Sequence, residues 1–344
     1  MKTYVKPLSI VSVMSLLGLT GCSSHEEPLP QPTNIEQNIV APVLNNEQVD
    51  GVMGKIFDTI STADEQLNVD TLKTRLSGPA LQKRLLEYKK KSAMGDGYSL
   101  SPLAKTFKAS AISGSQYESG RITYMVMEPA GDEKFVRLDV FKQNDVRSNW
   151  TLWASFTPLP GTIPGVKNEY KKGAEVIDAN SNDGLLASPN DVVNGYLNVL
   201  KNGKSPENLA FVEDDYFHKN LSERYGREIS SPMKDVGNAN ITYAMGSDGA
   251  TALRTDDGGA LVFAPLTYMS EMNITKNGAS TTLKGEDISI VATGKKDGEV
   301  KFTQFMKIEY SAALCLYVPP ADAKDAQVRL VAYVDGTPVK VEAK

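Results

Sequence analysis

Ser188-Pro189-Asn190-Asp191-Val192-Val193-Asn194-Gly195-Tyr196-Leu197-Asn198-Val199-Leu200-Lys201-Asn202-Gly203 reads as a helix with both ends written into it. Ser188 offers an N-cap, Pro189 suits a first helical position that needs no N–H, and Asp191 puts an acid in the first turn. Val192, Val193, Tyr196, Leu197 and Leu200 recur on one face, and Gly203 ends the run. A second helix is predicted from about Pro206, carrying Leu209, Val212, Tyr216, Phe217, Leu221 and Tyr225. The pattern then turns to strands, near 239–245, 250–255, 260–275, 286–293, 300–318 and 326–335. Asp257-Gly258-Gly259 and Asp297-Gly298 fall at hairpin turns, and Asp248-Gly249 also reads as a turn.

The same grammar precedes this stretch. Val49, Val52, Met53, Ile56, Phe57 and Ile60 form one helical stripe in a segment starting near Glu47. A second helix is predicted from Ser77-Gly78-Pro79, with Ser77 as cap, Leu81, Leu85 and Tyr88 inside, and Lys89-Lys90-Lys91 at a solvated end. Strands follow near 105–113, 121–128, 134–142 and 149–157, with a turn at Gly131-Asp132. Trp150, Leu152, Ala154 and Phe156 alternate onto one face. Helices followed by antiparallel strands, twice over, make the chain α+β. The expectation is two tandem domains, each with helices packed on a curved antiparallel sheet, a shape similar to the nuclear-transport-factor-two-like or cystatin-like cone. The domains are expected at 46–165 and 186–342, joined by a polar linker at 166–185.

The N-terminus reads as an export signal. Lys2 and Lys6 give a positive start, and an apolar run from Leu8 to Thr20 follows. At about 13 residues this run is shorter than the roughly 20 that span a bilayer. It ends in the lipobox Leu19-Thr20-Gly21-Cys22. Residues 1–21 are therefore expected to be a lipoprotein signal peptide, Cys22 the lipidated residue, and 22–45 a Pro-rich disordered tether. Removing Lys2 and Lys6 with no acid takes the net charge from −5 to −7. An acidic body repels phosphate backbones, which excludes nucleic acid as a partner. Cys315 is the only other cysteine, so with Cys22 acylated no internal disulfide forms. Its apolar surroundings, Ala312 to Val318, predict a buried, inert thiol.

No motif singles out a catalytic, cofactor or metal site. His25 lies in the tether. His218, beside Glu213, Asp214 and Asp215, lacks further ligands at metal-binding spacing. Ser231-Pro232-Met233-Lys234 fits S-x-x-K without its companion elements and is expected in a loop. Asp256-Asp257-Gly258-Gly259 lacks the downstream acid of a calcium loop. Trp150 and Trp153, the only tryptophans, point to opposite faces of a strand. One is expected in the core and the other at a ligand or partner contact, exposed or covered by the neighbouring domain.

Thr74-Arg75-Leu76-Ser77-Gly78-Pro79-Ala80-Leu81, then Trp153 with Leu159-Pro160-Gly161, Asp257-Gly258-Gly259-Ala260-Leu261-Val262, and Leu316-Tyr317-Val318-Pro319-Pro320 occur in this order. Together they resemble a family of uncharacterised actinobacterial lipoproteins, classed as a domain of unknown function. The resemblance covers roughly residues 48 to 335. It implies a Gram-positive envelope and a single-membrane anchor, and brings no catalytic residues. The expected function is that of a non-enzymatic binding or scaffolding lipoprotein on the extracytoplasmic face of the cell membrane. Its partners would be the membrane, through the lipid, and an envelope protein or wall polymer. The alternatives are a solute-binding lipoprotein of a transporter or an envelope enzyme. The first of these would alternate strands and helices in doubly wound lobes, which this chain does not.

Overall fold

The computed structural model describes residues 42–102, 107–114, 121–127, 137–161, 163–169, 173–212, 215–324 and 326–344. Cys22, the expected signal segment, the turn expected at Gly131-Asp132, Glu213 and Asp214 lie outside them. Residues Ile39–Lys344 form one compact unit.

The first half begins with α1 (Asn46–Gln66), α2 (Val69–Lys73) and α3 (Gly78–Met94). Order starts earlier than the expected tether end at residue 45. Val43 and Leu44 are already buried, and Asn45 caps α1. The Asn45 carboxamide oxygen accepts from Gln48 N–H at 2.8 Å while the Gln48 side chain accepts from Asn45 N–H at 2.9 Å, a reciprocal capping box. Met53, Ile56 and Ile60 of the expected stripe are fully buried. Ser77 sits at the head of α3 but makes no side-chain cap. Its hydroxyl is hydrogen-bonded instead to Thr151 Oγ1 at 2.7 Å, because Leu152 C=O draws Ser77 N–H onto the sheet.

Strands β1 (Phe107–Ile112), β2 (Arg121–Met127), β3 (Arg137–Gln143) and β4 (Thr151–Pro158) follow. The stretch expected as a linker carries the short strands β5 (Asn168–Glu169), β6 (Gly173–Ala174) and β7 (Val176–Ile177). The second half holds α4 (Pro189–Asn202), α5 (Tyr216–Arg224), a π-helical turn (Tyr225–Ser230) and α6 (Ser231–Met233). Then come β8 (Gly237–Met245), β9 (Thr251–Arg254), β10 (Ala260–Ile274), β11 (Thr281–Leu283), α7 (Glu286–Thr293), β12 (Val300–Phe302), β13 (Phe305–Val318) and β14 (Arg329–Ala343).

Helix α4 has the predicted ends: Ser188 Oγ accepts from Asp191 N–H, and Gly203 closes it at φ +69°. Three other predictions need correction. The helix expected from Pro206 begins at Tyr216, where Asp215 caps it by accepting from His218 N–H at 2.9 Å. Ser231–Met233 is helical rather than a loop. Residues 286–293 are helix, not strand. Ile288, Ser289 and Ile290 mimic a strand, but Glu286 and Asp287 fill the first turn and Gly294 closes the last in the left-handed region. Asp297-Gly298 therefore lies between α7 and β12, outside any single hairpin.

Among the described residues the main sheet has ten strands, in the order β1-β2-β3-β4-β14-β13-β10-β9-β7, with β8 also on β10. The pairings are antiparallel. Among the described residues the register pairs Ala332–Pro158 and Tyr333–Thr157 join β14 to β4, and Leu159 N–H donates to Val331 C=O beside them. Two strands at the centre are buried on both faces. Ala260, Val262, Ala264, Leu266, Ala312, Leu314 and Leu316 face α4 and α5, whereas Leu261, Phe263, Ala313, Cys315 and Tyr317 face the other way. Continuous apolar runs are the sequence mark of such strands. The second face is covered by Leu138, Val140, Trp153, Ala154 and Phe156 of the first half, so the sheet curls back onto itself. Phe156 meets Phe263 with ring centroids 5.8 Å apart. A bulge makes this possible. Val140 and Phe141 are consecutive, but their partners are Ala154 and Leu152, so Trp153 is an extra residue. Trp150 and Leu152 consequently pack under α1 and α3, while Ala154 and Phe156 pack on β10 and β13, rather than all four sharing one face. Among the described residues no helix is long and apolar enough to cross a membrane.

Candidate functional site

Three concavities differ in size and chemistry. The first lies between α1, α3 and β3, lined in part by Ile60, Arg84, Glu87, Arg137, Asp139 and Leu152, and measures about 70 Å³. Small-ligand sites run to roughly 300–1,000 Å³, so this one has room for a few waters and not for a ring. Two of its charged groups, Arg84 and Glu87, are spent on each other. Arg84, nearly buried, pairs with both Asp64 and Glu87. Its Nε donates to Asp64 Oδ1 at 2.9 Å and its Nη1 to Ser101 C=O at 2.8 Å. Tyr88 OH donates to Asp64 Oδ1 at 2.8 Å, and Ser101 Oγ to Glu87. Burial opposes the guanidinium charge, but hydrogen bonds to Asp64 and the charges of Glu87 and Asp64 outweigh it and hold its pKa above the ordinary value. Desolvation, then the bond to Asp64, pushes the Tyr88 phenol up.

The second concavity is a groove of about 580 Å³ where α3 meets α7 and β14. Leu67, Val69, Leu85, Leu86, Ile290, Val291, Pro338 and Val339 give it apolar walls, and Lys89, Gln82 and Ser92 a thin polar margin. Lys90 fixes the helix pair beside it, reaching Asp287 at 2.7 Å and Glu286 at 3.2 Å. Of the expected solvated lysines, Lys90 is thus a structural tie. The third is an open cleft of about 1,000 Å³ over α4, polar and rich in asparagine, with Asn182, Asn194, Asn198 and Asn208 among its walls.

In the second half, Tyr196 OH donates to Asp215 Oδ2 at 2.6 Å, so the carboxylate beside His218 is occupied as cap and acceptor. Arg224 donates to Tyr268 OH at 2.9 Å and pairs with Asp335 at 3.3 Å, while Tyr268 stacks on Tyr310 at 4.5 Å. Gly336 permits this, since a Cβ there would meet Tyr268 OH at 1.7 Å. Burial raises Tyr243 and Tyr310 to about 12, so these phenols stay neutral.

Both tryptophans are buried, Trp150 at 5 % and Trp153 at 1 % exposure, so neither offers a free face to a ligand. Trp153 contacts the second half of the same chain: its Nε1 donates to Asp248 Oδ2 at 2.9 Å. Cys315 is buried, and desolvation pushes its thiol up. Ser231 and Lys234 are exposed at a helix end. Asp257 accepts from Thr255 and Tyr317 and holds a turn. Among the described residues no group of three or more His, Cys, Asp or Glu is placed for a metal. The apolar groove went unread in the sequence because one wall, α7, carries a strand-like pattern.

Lys142 on β3 lies 3.7 Å over the Trp153 ring. Burial pushes its ammonium down from 10.5 to about 8, with Asp248 opposing. Below pH 8 both folded and unfolded chains carry the charge, and folding bears the full cost of burying it. Between about pH 8 and 10.5 the unfolded chain binds more protons, so the cost fades as pH rises. Urea unfolding of wild type and Lys142→Met is expected to show the variant's advantage shrinking across that window. A pH-independent difference would mean that the indole face fully offsets desolvation.

No curated protein and no solved structure matches the chain. The model of the family described as "Domain of unknown function (DUF8094)" matches residues 40–339, across both halves and the stretch between them, and the chain belongs to that family.

Proposed function

We propose that the chain is a lipoprotein of an actinobacterial cell envelope, cut before Cys22, acylated there, and acting by binding rather than catalysis. The short apolar run ending in Leu19-Thr20-Gly21-Cys22 supports the address. The observation that carries the binding role is the α3–α7 groove, of ligand size and with apolar walls. The ionisable clusters support it from the other side, since Arg84, Asp64 and Glu87, and Arg224 and Asp335, satisfy one another. In this reading the halves are tandem cones of the nuclear-transport-factor-two type. Each opens with helices, each continues in antiparallel strands, and the β4–β14 junction is brief.

The test has two arms. Cys22→Ala is expected to move the protein from membrane to medium, with loss of the diacylglyceryl mass from the mature chain. Retention on the membrane would end the lipid-anchor reading. In cells, a photo-crosslinking residue at Val291 is expected to trap a discrete species that one at exposed Lys201 does not. Identical products at both positions would end the groove's role.

A further inference from the structure

We propose that β8 is the interface of a homodimer, pairing antiparallel with β8 of a second copy about a two-fold axis through Ile241. Open sheet edges are normally short, charged, bulged or interrupted by proline. The β7 end of this sheet is two residues long, and the β1 end is met by bridges at Pro42–Gly114 and Ser113–Ala174. Strand β8 is nine residues, Gly237-Asn238-Ala239-Asn240-Ile241-Thr242-Tyr243-Ala244-Met245, with no charge and no proline. Its register with β10 runs from Met245–Leu266 to Gly237–Ile274 without a shift.

The orientation of the open side follows from one bond. Gly246 N–H donates to Pro265 C=O at 3.0 Å, so the even-numbered residues of this ladder turn their backbone groups toward β10. Gly237, Ala239, Ile241, Tyr243 and Met245 then turn theirs outward, where they make no backbone hydrogen bond among the described residues. A two-fold axis at Ile241 sets Ile241 against itself, Ala239 against Tyr243 and Gly237 against Met245. Every outward donor then faces an outward acceptor, and the inner side chains, only half-buried at this edge, gain a neighbour.

Charge argues for a second copy rather than an arbitrary strand. Two acidic chains repel, and an uncharged seam is where they can meet. Lys234 and Asp248 flank β8 at equal separations along the chain from Ile241, so the axis brings the end of the strand that carries Lys234 in one copy to the end that carries Asp248 in the other. Lys234 is exposed and in no ion pair among the described residues. The symmetry also closes the assembly, so an edge without gatekeepers does not seed fibres. A strand pair covers less than the roughly 1,600 Å² of a standard interface, so a weak, concentration-dependent dimer is expected.

Sedimentation velocity of the full chain from about 1 to 300 μM is expected to show a monomer–dimer equilibrium. Ala239→Pro deletes an outward N–H and leaves the β10 ladder intact, so the urea midpoint should hold while Kd rises about tenfold or more. Thr242→Pro deletes a bond to β10 and should lower the midpoint. Lys234→Glu, which touches no core, should also raise Kd, most at low salt. A monomer throughout, or open-ended oligomers, would overturn the proposal. So would a Kd unchanged in Ala239→Pro, or, should that variant not fold, in Lys234→Glu.

Discussion

Replacing Trp153 by Ala is expected to cost about 3–5 kcal/mol of unfolding free energy, as deletion of a large buried aromatic does. The site gives little room for collapse. Trp153 is the extra residue of the β3–β4 bulge, so the backbone that aims its ring is shaped around it. The ring packs 6.2 Å from Phe156 in the core shared by the halves, lies under the Lys142 ammonium, and holds Asp248 through Nε1. Trp153→Phe keeps most of the apolar area and loses the bond, so it should cost less, about 1–3 kcal/mol. Gly78 makes the fit independently testable. Its φ is +50°, and a Cβ there would stand 2.5 Å from the indole, so Gly78→Ala should destabilise through both backbone and contact. Urea unfolding followed by far-UV dichroism checks all three. A Trp153→Ala loss under about 1.5 kcal/mol would show that the halves do not depend on their shared core.

That shared core marks where the sequence stops being legible. Helix α4 is readable because its signals are local: Ser188, Pro189, Asp191 and Gly203 each act within a turn of the helix end they define. The burial of Cys315 is readable because a strand covered on both faces needs an unbroken apolar run, and Ala312 to Val318 supplies one. The curl of the sheet is not. It goes with bulges such as the residue inserted into β4 and the register shifts between β13 and β14, and a bulge leaves no trace in an alternation that reads equally well without it. Helix α7 fails for a related reason. Eight residues with Ile288 and Ile290 two apart satisfy either period, and the deciding Gly294 conformation emerges only in three dimensions. With α7 went the groove it walls. The polar ties were equally hidden, because Asp64 and Arg84 are charged residues on separate helices and nothing local distinguishes them from solvated ones.

Those ties carry the second large effect. Arg84→Ala is expected to cost about 3–5 kcal/mol, because it leaves two carboxylates, Asp64 and Glu87, beside each other in a nearly dry site. Arg84→Lys should recover only part of this. The guanidinium fork serves Asp64, Glu87 and Ser101 C=O at once, and an ammonium cannot span that arrangement. The contrast that isolates electrostatics from packing is a triple variant, Asp64→Asn, Arg84→Met and Glu87→Gln together. It has similar volume and no charge, and replacement of a buried ion cluster by neutral groups is commonly neutral or stabilising. The triple variant should therefore unfold at higher urea than Arg84→Ala, and Tyr88 and Ser101 should keep partners in the two amides. If the triple variant is no more stable than Arg84→Ala, the charges are not what the fold loses. The network's contribution would then lie in how the Arg84 stem packs against α1 and the Ser101 loop.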